Sequence, residues 1–376
     1  MDTFSFTKSI KDKALGLGFD LVGVSPVDSF PENQYYKEWL SKGFSGEMKY
    51  MDRAPERREH LKHVLPDAKS VISCALNYNT DYSYSVDEKD KSKGWISRYA
   101  WGDDYHHVME DKLRVLMNYI KEQASEEVSS KMYVDTGPVL ERVYGKYAGV
   151  GWIGKNTCLI NQEIGSWIFI GEIITSLELD YDNPVPDRCG TCTRCIDACP
   201  TDAILEPYVL DSRICISYLT IELKDKVPVQ LREGIDNNIY GCDICQDVCP
   251  WNKRAQITDE PGFKPREDLY SPDLSYLSGL SVEDFRMVFK GSPIKRTKRR
   301  GLLRNVMIAM GNSGNKNFIP HIKECLNDEE PLVRAHAVWA LWRIDGPGSN
   351  KILLDHRTVE TDDSVNEEID LLLNTD

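Results

Sequence analysis

The chain has 376 residues, more than one ordinary hydrophobic core holds, which predicts two or three domains. Hydrophobic residues make up 41% and charged residues 28%, so the composition excludes collagen-like, disordered and membrane-bundle proteins. The net charge of −14 makes nucleic acid an unfavourable partner on average. With no signal peptide, twin-arginine pair or long apolar run, we expect a cytoplasmic protein whose cysteines bind metal.

Helices and strands alternate over the first part of the chain. Apolar spacing predicts a helix at 4–17, strands at 20–27 and 70–78, a helix at 104–123 and a strand at 131–136. The last of these strands ends near Asp135, and Pro138 is predicted to open another helix. Residues 166–179 are β-rich, with a predicted interruption at Gly171. This alternation predicts an α/β or α+β domain over residues 1–182.

A compact cysteine motif follows a boundary rich in proline and aspartate. Residues 189–200 have the spacing Cys-x2-Cys-x2-Cys-x3-Cys-Pro, the bacterial ferredoxin signature for [4Fe–4S] clusters. Residues 242–250 supply three more cysteines, and Cys215 is the nearest candidate for an eighth ligand. The predicted crosswise ligand sets are Cys189, Cys192, Cys195 and Cys249 for one cluster, and Cys199, Cys215, Cys242 and Cys245 for the other. A zinc site, the alternative, favours two separated Cys-x2-Cys pairs.

Three cysteines remain, namely Cys74, Cys158 and Cys325, and these are predicted to pack in the core. Residues 183–260 are predicted to form a ferredoxin-like domain whose insertion, residues 216–241, faces the electron acceptor. Residues 261–376 are predicted to be a linker followed by a helical domain. Within it, residues 328–341 look like a helix of a HEAT repeat, whose apolar faces are buried by stacking.

One segment departs from the acidic character of the chain. Residues 286–304 contain eight basic side chains and no acidic one. The simpler interpretation is a solvated surface. In an acidic protein, however, such a block concentrates positive potential where phosphate groups can bind.

Several segments outside the cysteine motifs carry a family resemblance. They are residues 96–106, 134–142, 151–160, 165–173, 215–222 and 240–252. Together with the cysteines, they make the whole chain resemble the epoxyqueuosine reductases, which complete the queuosine nucleoside of tRNA. The resemblance implies a multidomain α+β protein. Its implied parts are a nitroreductase-like cobalamin-binding domain, a bacterial ferredoxin-like two-cluster module and C-terminal α-helical HEAT-like repeats.

The resemblance also implies the activity. Epoxyqueuosine at the wobble position of tRNA is reduced to queuosine by reduced cobalamin fed by two [4Fe–4S] clusters, with Asp135 as proton donor. The cobalamin pattern Asp-x-His-x-x-Gly is absent at residues 104–109, so base-off cobalamin is expected. To donate a proton near neutral pH, Asp135 needs an apolar setting that raises its pKa. The implied partners are the tRNA anticodon stem-loop and an unidentified electron donor, and a monomer is expected.

Position by position, the resemblance gives two further sets of residues. The implied cobalamin contacts are Arg57, Arg98, Asp135, Leu159, Ile170, Ser217, Cys242 and Asp243. The implied tRNA contacts are Lys295, Arg296, Lys298, Arg299 and Arg300. From the residues alone, the favoured interpretation of Asp135 is a turn or capping residue, and Arg57 and Arg98 can be surface ion-pair partners.

Two other functions fit the cysteine motifs. A corrinoid reductive dehalogenase usually has a twin-arginine signal and lacks a helical-repeat tail, the opposite of this chain. A two-cluster electron carrier leaves residues 1–182 and the basic block without a role. Bound cobalt distinguishes the carrier from the enzyme.

Overall fold

The first part of the chain forms a four-stranded antiparallel sheet with helices on both faces. The computed structural model describes residues 2–374. The predicted first and third domains include three residues outside this range, namely Met1 and residues 375 and 376. The elements of this part are α1 (Thr3–Gly16), β1 (Leu21–Pro26), α2 (Pro31–Ser41), α3 (Pro55–Glu59), β2 (Ser70–Asn77), β3 (Trp95–Ile96), α4 (Tyr105–Gln123), β4 (Ser130–Tyr133), α5 (Glu141–Tyr147), β5 (Trp152–Ile153), β6 (Leu159–Ile160) and β7 (Ile168–Thr175). The strand order in the sheet is β1–β2–β7–β4.

The two faces of the sheet differ in chemistry. One face, which includes Ile72 and Ile173, packs against α1 and α4 in an apolar core. The other face packs against α5 and carries a row of directly opposed residues: Gly23, Ser73, Glu172 and Tyr133. At Gly23 an added Cβ would lie 1.9 Å from the Ala148 carbonyl oxygen, so only glycine allows this approach.

Two predictions for this part of the chain are wrong: the strand interruption at Gly171 and the helix start at Pro138. Strand β7 continues through Gly171, which pairs with Cys74. A Cβ at Gly171 would lie 2.8 Å from Leu113 of α4, so this glycine permits close helix packing and does not break the strand. Helix α5 begins at Glu141, well after Pro138. The remaining predicted elements agree with the structure within a few residues.

The middle of the chain consists of short elements joined by the cysteine loops. They are α6 (Arg194–Asp197), β8 (Ile204–Glu206), β9 (Val209–Leu210), α7 (Ile216–Ile221), α8 (Val229–Ile235), β10 (Asn238–Tyr240) and α9 (Ile244–Asp247). Strands β8 and β9 pair with each other, and α6 packs against α9. The two cysteine loops are therefore brought side by side.

The last part of the chain is helical. Its helices are α10 (Leu274–Ser278), α11 (Val282–Val288), α12 (Lys298–Ser313), α13 (Ile319–Cys325), α14 (Pro331–Asp345), α15 (Asn350–Arg357) and α16 (Asp363–Leu373). Helix α14 packs between α12 and α16, as expected of stacked repeats. Within residues 2–374, no helix has the length and apolar character needed to cross a membrane.

The insertion at residues 216–241 joins the helical core. Its elements α7, α8 and β10 all contact α12, and β10 also pairs in parallel with β3. Arg232 of α8 forms a fully buried bidentate ion pair with Glu368 of α16, at 2.5 and 3.2 Å. The buried Arg304 of α12 donates to the carbonyls of Leu223 and Asp225, both at 2.8 Å. The insertion thus packs as part of the helical region.

Candidate active site

The first predicted ligand set surrounds a cavity of about 230 Å³. The cysteines that line it are Cys189, Cys192, Cys195 and Cys249. Burial raises the pKa of Cys249 to about 11, and the nearby thiols of Cys189 and Cys195 add to the shift. The Lys155 ammonium donates to the Gly190 carbonyl at 2.7 Å and so fixes the first cysteine loop. A cavity lined by four thiols fits a cluster that thiolates bind.

The second predicted set also converges. Burial and the neighbouring Cys215 thiol raise the pKa of Cys242, and Cys199 contributes to the same shift. The Ala203 N–H donates to Cys199 Sγ at 3.3 Å. Backbone donors of this kind stabilise cluster thiolates and tune their potential.

A single metal ion is a poorer fit to these cysteines. In the described part of the chain, no three His, Cys, Asp or Glu side chains are close enough to hold one ion. A tetrahedral zinc ion needs four such ligands around one point, whereas a cubane spreads its thiolates around a larger group. The cavity lined by four thiols is compatible with such a group.

The three remaining cysteines have different surroundings. Cys74 and Cys325 are buried in apolar cores, as predicted. Cys158 instead lies beside the second ligand set. The pKa of Cys245 is raised mainly by the contact with the Cys158 thiol and, to a smaller extent, by burial. The Asn156 amide accepts from the Cys158 N–H at 3.3 Å and donates to the Cys245 carbonyl at 3.4 Å. Cys158 therefore packs against the second ligand set, whereas Cys74 and Cys325 pack in apolar cores.

An acid–base group lies where β4 meets α4. Asp135 follows β4 in a left-handed conformation (φ 56°), and its side chain is 54% exposed. His106, in the first turn of α4, has Nε2 3.7 Å from Asp135 Oδ2 and Nδ1 2.7 Å from Asp104 Oδ1. The Tyr105 hydroxyl also contacts Asp135. These side chains can hold and transfer a proton.

The charges in this group differ from the sequence-based expectation. Burial opposes a charge on His106, but contacts with Asp104 and Asp135 raise its pKa to about 9. Partial desolvation by the surrounding side chains favours a neutral Asp135, but the contacts with His106 and Tyr105 outweigh it and lower the pKa of Asp135. The raised pKa predicted for Asp135 is therefore absent, because a cationic imidazole faces the carboxylate. At neutral pH the proton lies on His106.

The implied cobalamin contacts fall into separate groups. Leu159 and the half-buried Ile170 belong to one apolar cluster on the α5 side of the sheet. Ser217 lies in the first turn of α7, where its N–H donates toward the Cys215 thiol. Arg57 is exposed on α3. The structure thus brings Leu159 and Ile170 together, and it places Arg57 at the exposed surface of α3.

Arg98 and Asp243 form a buried network of their own. The Arg98 guanidinium donates to the carbonyls of Thr80, Tyr82 and Ser83 and lies over the rings of Tyr84, Trp101 and Trp167. The Arg98 N–H donates to Asp243 Oδ2 at 2.7 Å. Two of its three guanidinium nitrogens are engaged in this way, and Arg98 holds this loop next to Cys242, a predicted cluster ligand.

The side chains predicted to contact tRNA differ in their exposure to solvent. Lys295, Arg296 and Lys298 are exposed. Arg296 pairs with Glu222 at 2.7 Å, lies over the Tyr50 ring, and is close enough to Asp135 to lower its pKa.

The two arginines that follow are tied to acidic side chains. Arg300 lies 3.9 Å from Glu330. Arg299 forms a bidentate pair with Asp328, at 3.1 and 2.6 Å, and its side chain is only 14% exposed. These contacts favour a structural role for Arg299 within the helical region.

Sequence reasoning missed two acidic residues on the α5 side of the sheet, Glu141 and Glu172. Glu172 is fully buried in β7. The available signal was one charged residue inside the otherwise apolar run at 168–175.

Three family profiles match parts of the chain. Residues 58–136 match the family described as epoxyqueuosine reductase QueG. Residues 188–252 match a 4Fe-4S double cluster binding domain, and residues 298–372 match HEAT repeats. The predicted cluster module and helical repeats are confirmed at this level.

Whole-chain relatives agree with these profiles. The epoxyqueuosine reductase of Salmonella typhimurium is 40% identical over 342 residues, which is 91% of this chain and 89% of that protein. A crystal structure of epoxyqueuosine reductase with an epoxyqueuosine-modified tRNA-Tyr stem loop matches with a TM-score of 0.91 at 30% identity, over 98% of both chains. A structure from Bacillus subtilis, with its catalytic aspartate loop swung out of the active site, matches with a TM-score of 0.91 at 29% identity, also over 98% of both chains.

The sheet domain, the cysteine module and the helical repeats define an iron–sulfur oxidoreductase. The extent of identity with the curated relatives makes its family equally clear. The chain belongs to the epoxyqueuosine reductase family.

Proposed function

We propose that this enzyme reduces epoxyqueuosine to queuosine at the wobble position of tRNA, using base-off cobalamin fed by two [4Fe–4S] clusters. The observation that carries the proposal is the His106–Asp135 pair, which opens to solvent beside the exposed Arg296. The pair that can donate a proton therefore lies next to Arg296, a cation that can bind a phosphate group. The relative that matches with a TM-score of 0.91 was crystallised with a modified tRNA stem loop, which supports the same substrate here.

We also propose the division into residues 1–182, 183–260 and 261–376, with a nitroreductase-like fold for the first domain. The antiparallel sheet covered by helices on both faces is compatible with that fold. The insertion at 216–241 shares the core of the third domain and belongs with it in packing.

The residues fit cobalamin in chemical character. The half-buried Ile170 and neighbouring Leu159 offer an apolar surface to a corrin ring, with the polar Asp135, Ser217 and the backbone of 242–243 as further contacts. When bound, reduced cobalamin supplies low-potential electrons or a nucleophilic cobalt centre. His106 is occupied between Asp104 and Asp135, which agrees with the proposed base-off state.

Asp135 is proposed to deliver a proton to the departing oxygen. Converting an epoxide into an alkene and water consumes two electrons and two protons. When substrate covers the cleft, Asp135 loses its contact with water, and this desolvation favours its neutral form. The proton held by His106 then moves to Asp135. The swung-out aspartate loop of the Bacillus subtilis relative supports a catalytic role for the loop that bears Asp135.

Exposed cations of the basic block are proposed to bind tRNA phosphates. Lys295 and Lys298 suit this role best because both are exposed. Arg296 is exposed as well but pairs with Glu222, and Arg299 and Arg300 also pair with acids. Extrusion of the target base is the usual solution for enzymes that act on a paired or stacked base. Arg296, next to Asp135, is suited to hold a phosphate of the extruded nucleotide.

An anaerobic turnover assay tests the proposed function. Epoxyqueuosine-containing tRNA and reductant are supplied with and without cobalamin, and the nucleosides are analysed by mass spectrometry. We expect loss of one oxygen only when cobalamin is present. No mass change from protein with both clusters intact would contradict the proposal.

A further inference from the structure

A buried lysine lies against the first cysteine loop without an acidic partner. Lys155 is only 9% exposed, and its ammonium donates to the carbonyls of Gly190 and Cys192, at 2.7 and 2.9 Å. Within residues 2–374, no Asp or Glu lies within ion-pair distance of this ammonium. A buried charge is costly unless an opposite charge compensates it, and carbonyl oxygens carry no net charge. The compensating charge is therefore expected from the group that fills the neighbouring cavity.

The cavity beside Lys155 is the one that the first ligand set lines. Lys155 forms part of its wall, together with Cys189, Cys192, Cys195 and Cys249. A cluster held by four thiolates carries a net negative charge, and this charge increases when the cluster gains an electron. A fixed ammonium next to the cluster stabilises the reduced form more than the oxidised form, because the attraction grows with the charge. Such a cation raises the reduction potential of the cluster.

A second donor next to the same thiols has no partner of its own. Trp152 of β5 is 2% exposed, and within residues 2–374 its indole N–H has no hydrogen-bond partner. Trp152 belongs to an apolar cluster that contains Cys249 and against which Cys189 packs. A hydrogen bond to the sulfur of a cluster also stabilises added negative charge. The indole is thus free to donate to a sulfur atom of the group in the cavity.

One tight turn places Lys155 and a neutral residue against the two cysteine loops. The turn joins β5 to β6, which pair with each other, and the Tyr208 N–H donates to the Lys155 carbonyl at 3.0 Å. The next residue, Asn156, is 5% exposed and donates to the Cys245 carbonyl at 3.4 Å. In the described part of the chain, no Lys or Arg side chain donates to residues 242–245. The first loop therefore has a buried cation against it, and the second loop has a neutral amide.

The exposure of the two loops also differs. Gly190 and Arg194 of the first loop are exposed. Gly241 and Asp243, on either side of Cys242, are buried. A reductant in solution can therefore reach the first loop directly.

We propose that Lys155 is the counter-ion of the first cluster and, with Trp152, raises its reduction potential above that of the second cluster. The inference rests on the proposed function, because it requires both clusters. The first electron from an external reductant then resides at the first cluster. This step is a one-electron reduction in which no bond between the protein and the cluster is made or broken and no proton moves.

A redox titration of the holoenzyme tests the proposal without turnover. With dithionite as reductant and electron paramagnetic resonance as the readout, the native protein should be reduced in two resolved steps. Cys215→Ala, which removes a predicted ligand of the second set, identifies the step that belongs to the first cluster. Lys155→Met removes the charge and keeps the apolar stem. Reduction of the first cluster should become about 10-fold less favourable in this variant, a shift of about 59 mV for one electron, while the second step stays unchanged.

Two further variants separate the charge of Lys155 from its place in the loop. Arg188→Met is the matched control, because Arg188 lines the same cavity but is exposed, so that water and salt screen its charge. It should shift the first step much less than Lys155→Met does. Lys155→Arg keeps the charge and should retain the native potential. Equal potentials in Lys155→Met and the native protein, with full iron in both, would overturn the role of Lys155.

Trp152→Phe keeps the proposal testable if Lys155→Met loses iron. This variant retains the apolar packing and removes the N–H, so the first step should move to lower potential with full iron content. If Lys155→Met cannot hold the first cluster, an unchanged first step in Trp152→Phe counts against the proposal. Native protein without two reducible clusters would instead refute the proposed function.

Discussion

The imidazole of His106 bridges two carboxylates, with Nδ1 2.7 Å from Asp104 Oδ1 and Nε2 3.7 Å from Asp135 Oδ2. An imidazole between two anions is stabilised as a cation. Asp104 also caps α4 by accepting from the His106 N–H, so the ring position is fixed by the start of the helix. The proton is thus stored on the residue that the family resemblance did not single out.

Catalysis should depend on the His106 proton. Because the pKa of His106 is raised to about 9, the proton is present below that pH and lost above it. We expect kcat/KM to fall as the pH rises through about 9. His106→Gln should lose this alkaline limb and most of the rate. The pH–rate profiles of both proteins check this, and an unchanged limb in the variant would exclude His106 as its origin.

Each cluster should depend on its own cysteines. Cys249→Ala removes a ligand of the first set and Cys215→Ala one of the second, so each variant should retain half of the bound iron. Cys158→Ala is the control, because Cys158 lies beside the second set without belonging to it, and full iron content is expected. Iron analysis and electron paramagnetic resonance of the reduced proteins provide the measurements. Full iron in Cys215→Ala would refute the assigned eighth ligand.

The basic block should contribute electrostatic affinity for tRNA. Replacing the exposed Lys295 and Lys298 with glutamate is expected to weaken binding and to flatten its dependence on salt, since fewer counterions are released. Filter binding at several salt concentrations measures both effects. Arg299→Gln should chiefly lower the melting temperature, because it breaks the pair with Asp328. Equal salt dependence in the double lysine variant and the native protein would remove the block from the interface.

The buried ion pair between Arg232 and Glu368 should stabilise the helical region. Glu368→Gln leaves the guanidinium buried without a counter-charge, which typically costs about 3–5 kcal/mol. Arg343 and Glu233 form a surface pair at 3.3 Å, and Arg343→Ala should cost less than about 1 kcal/mol. Urea unfolding compares the two variants. Equal losses in the free energy of unfolding would mean that the buried ion pair stabilises the protein no more than the exposed pair does.

The features that sequence reasoning predicted depend on local spacing. The cysteine sets could be predicted because short, fixed intervals bring thiols around a cluster. Apolar periodicity likewise located α1, α4 and β2, whose buried faces repeat regularly. Asp135 had no such local signal, and only the family resemblance distinguished it from a turn residue.

The features that sequence reasoning missed depend on distant contacts. Nothing near Arg299 shows that Asp328 will neutralise it. Glu172 becomes notable only when the row across the sheet is known. Likewise, β10 pairs with β3 from much earlier in the chain, and no local pattern indicates this pairing. Such pairings are set by the whole fold.

The shared core of the insertion has a consequence for biogenesis. Cys215 and Cys242 flank residues 216–241, and these residues pack against α12 from the C-terminal part of the chain. During synthesis, residues 216–241 can acquire this packing only after that late segment has emerged and folded. The predicted first set, apart from Cys249, comes from one continuous loop. We therefore expect an order of maturation in which a chain truncated before α12 fails to complete the proposed second cluster.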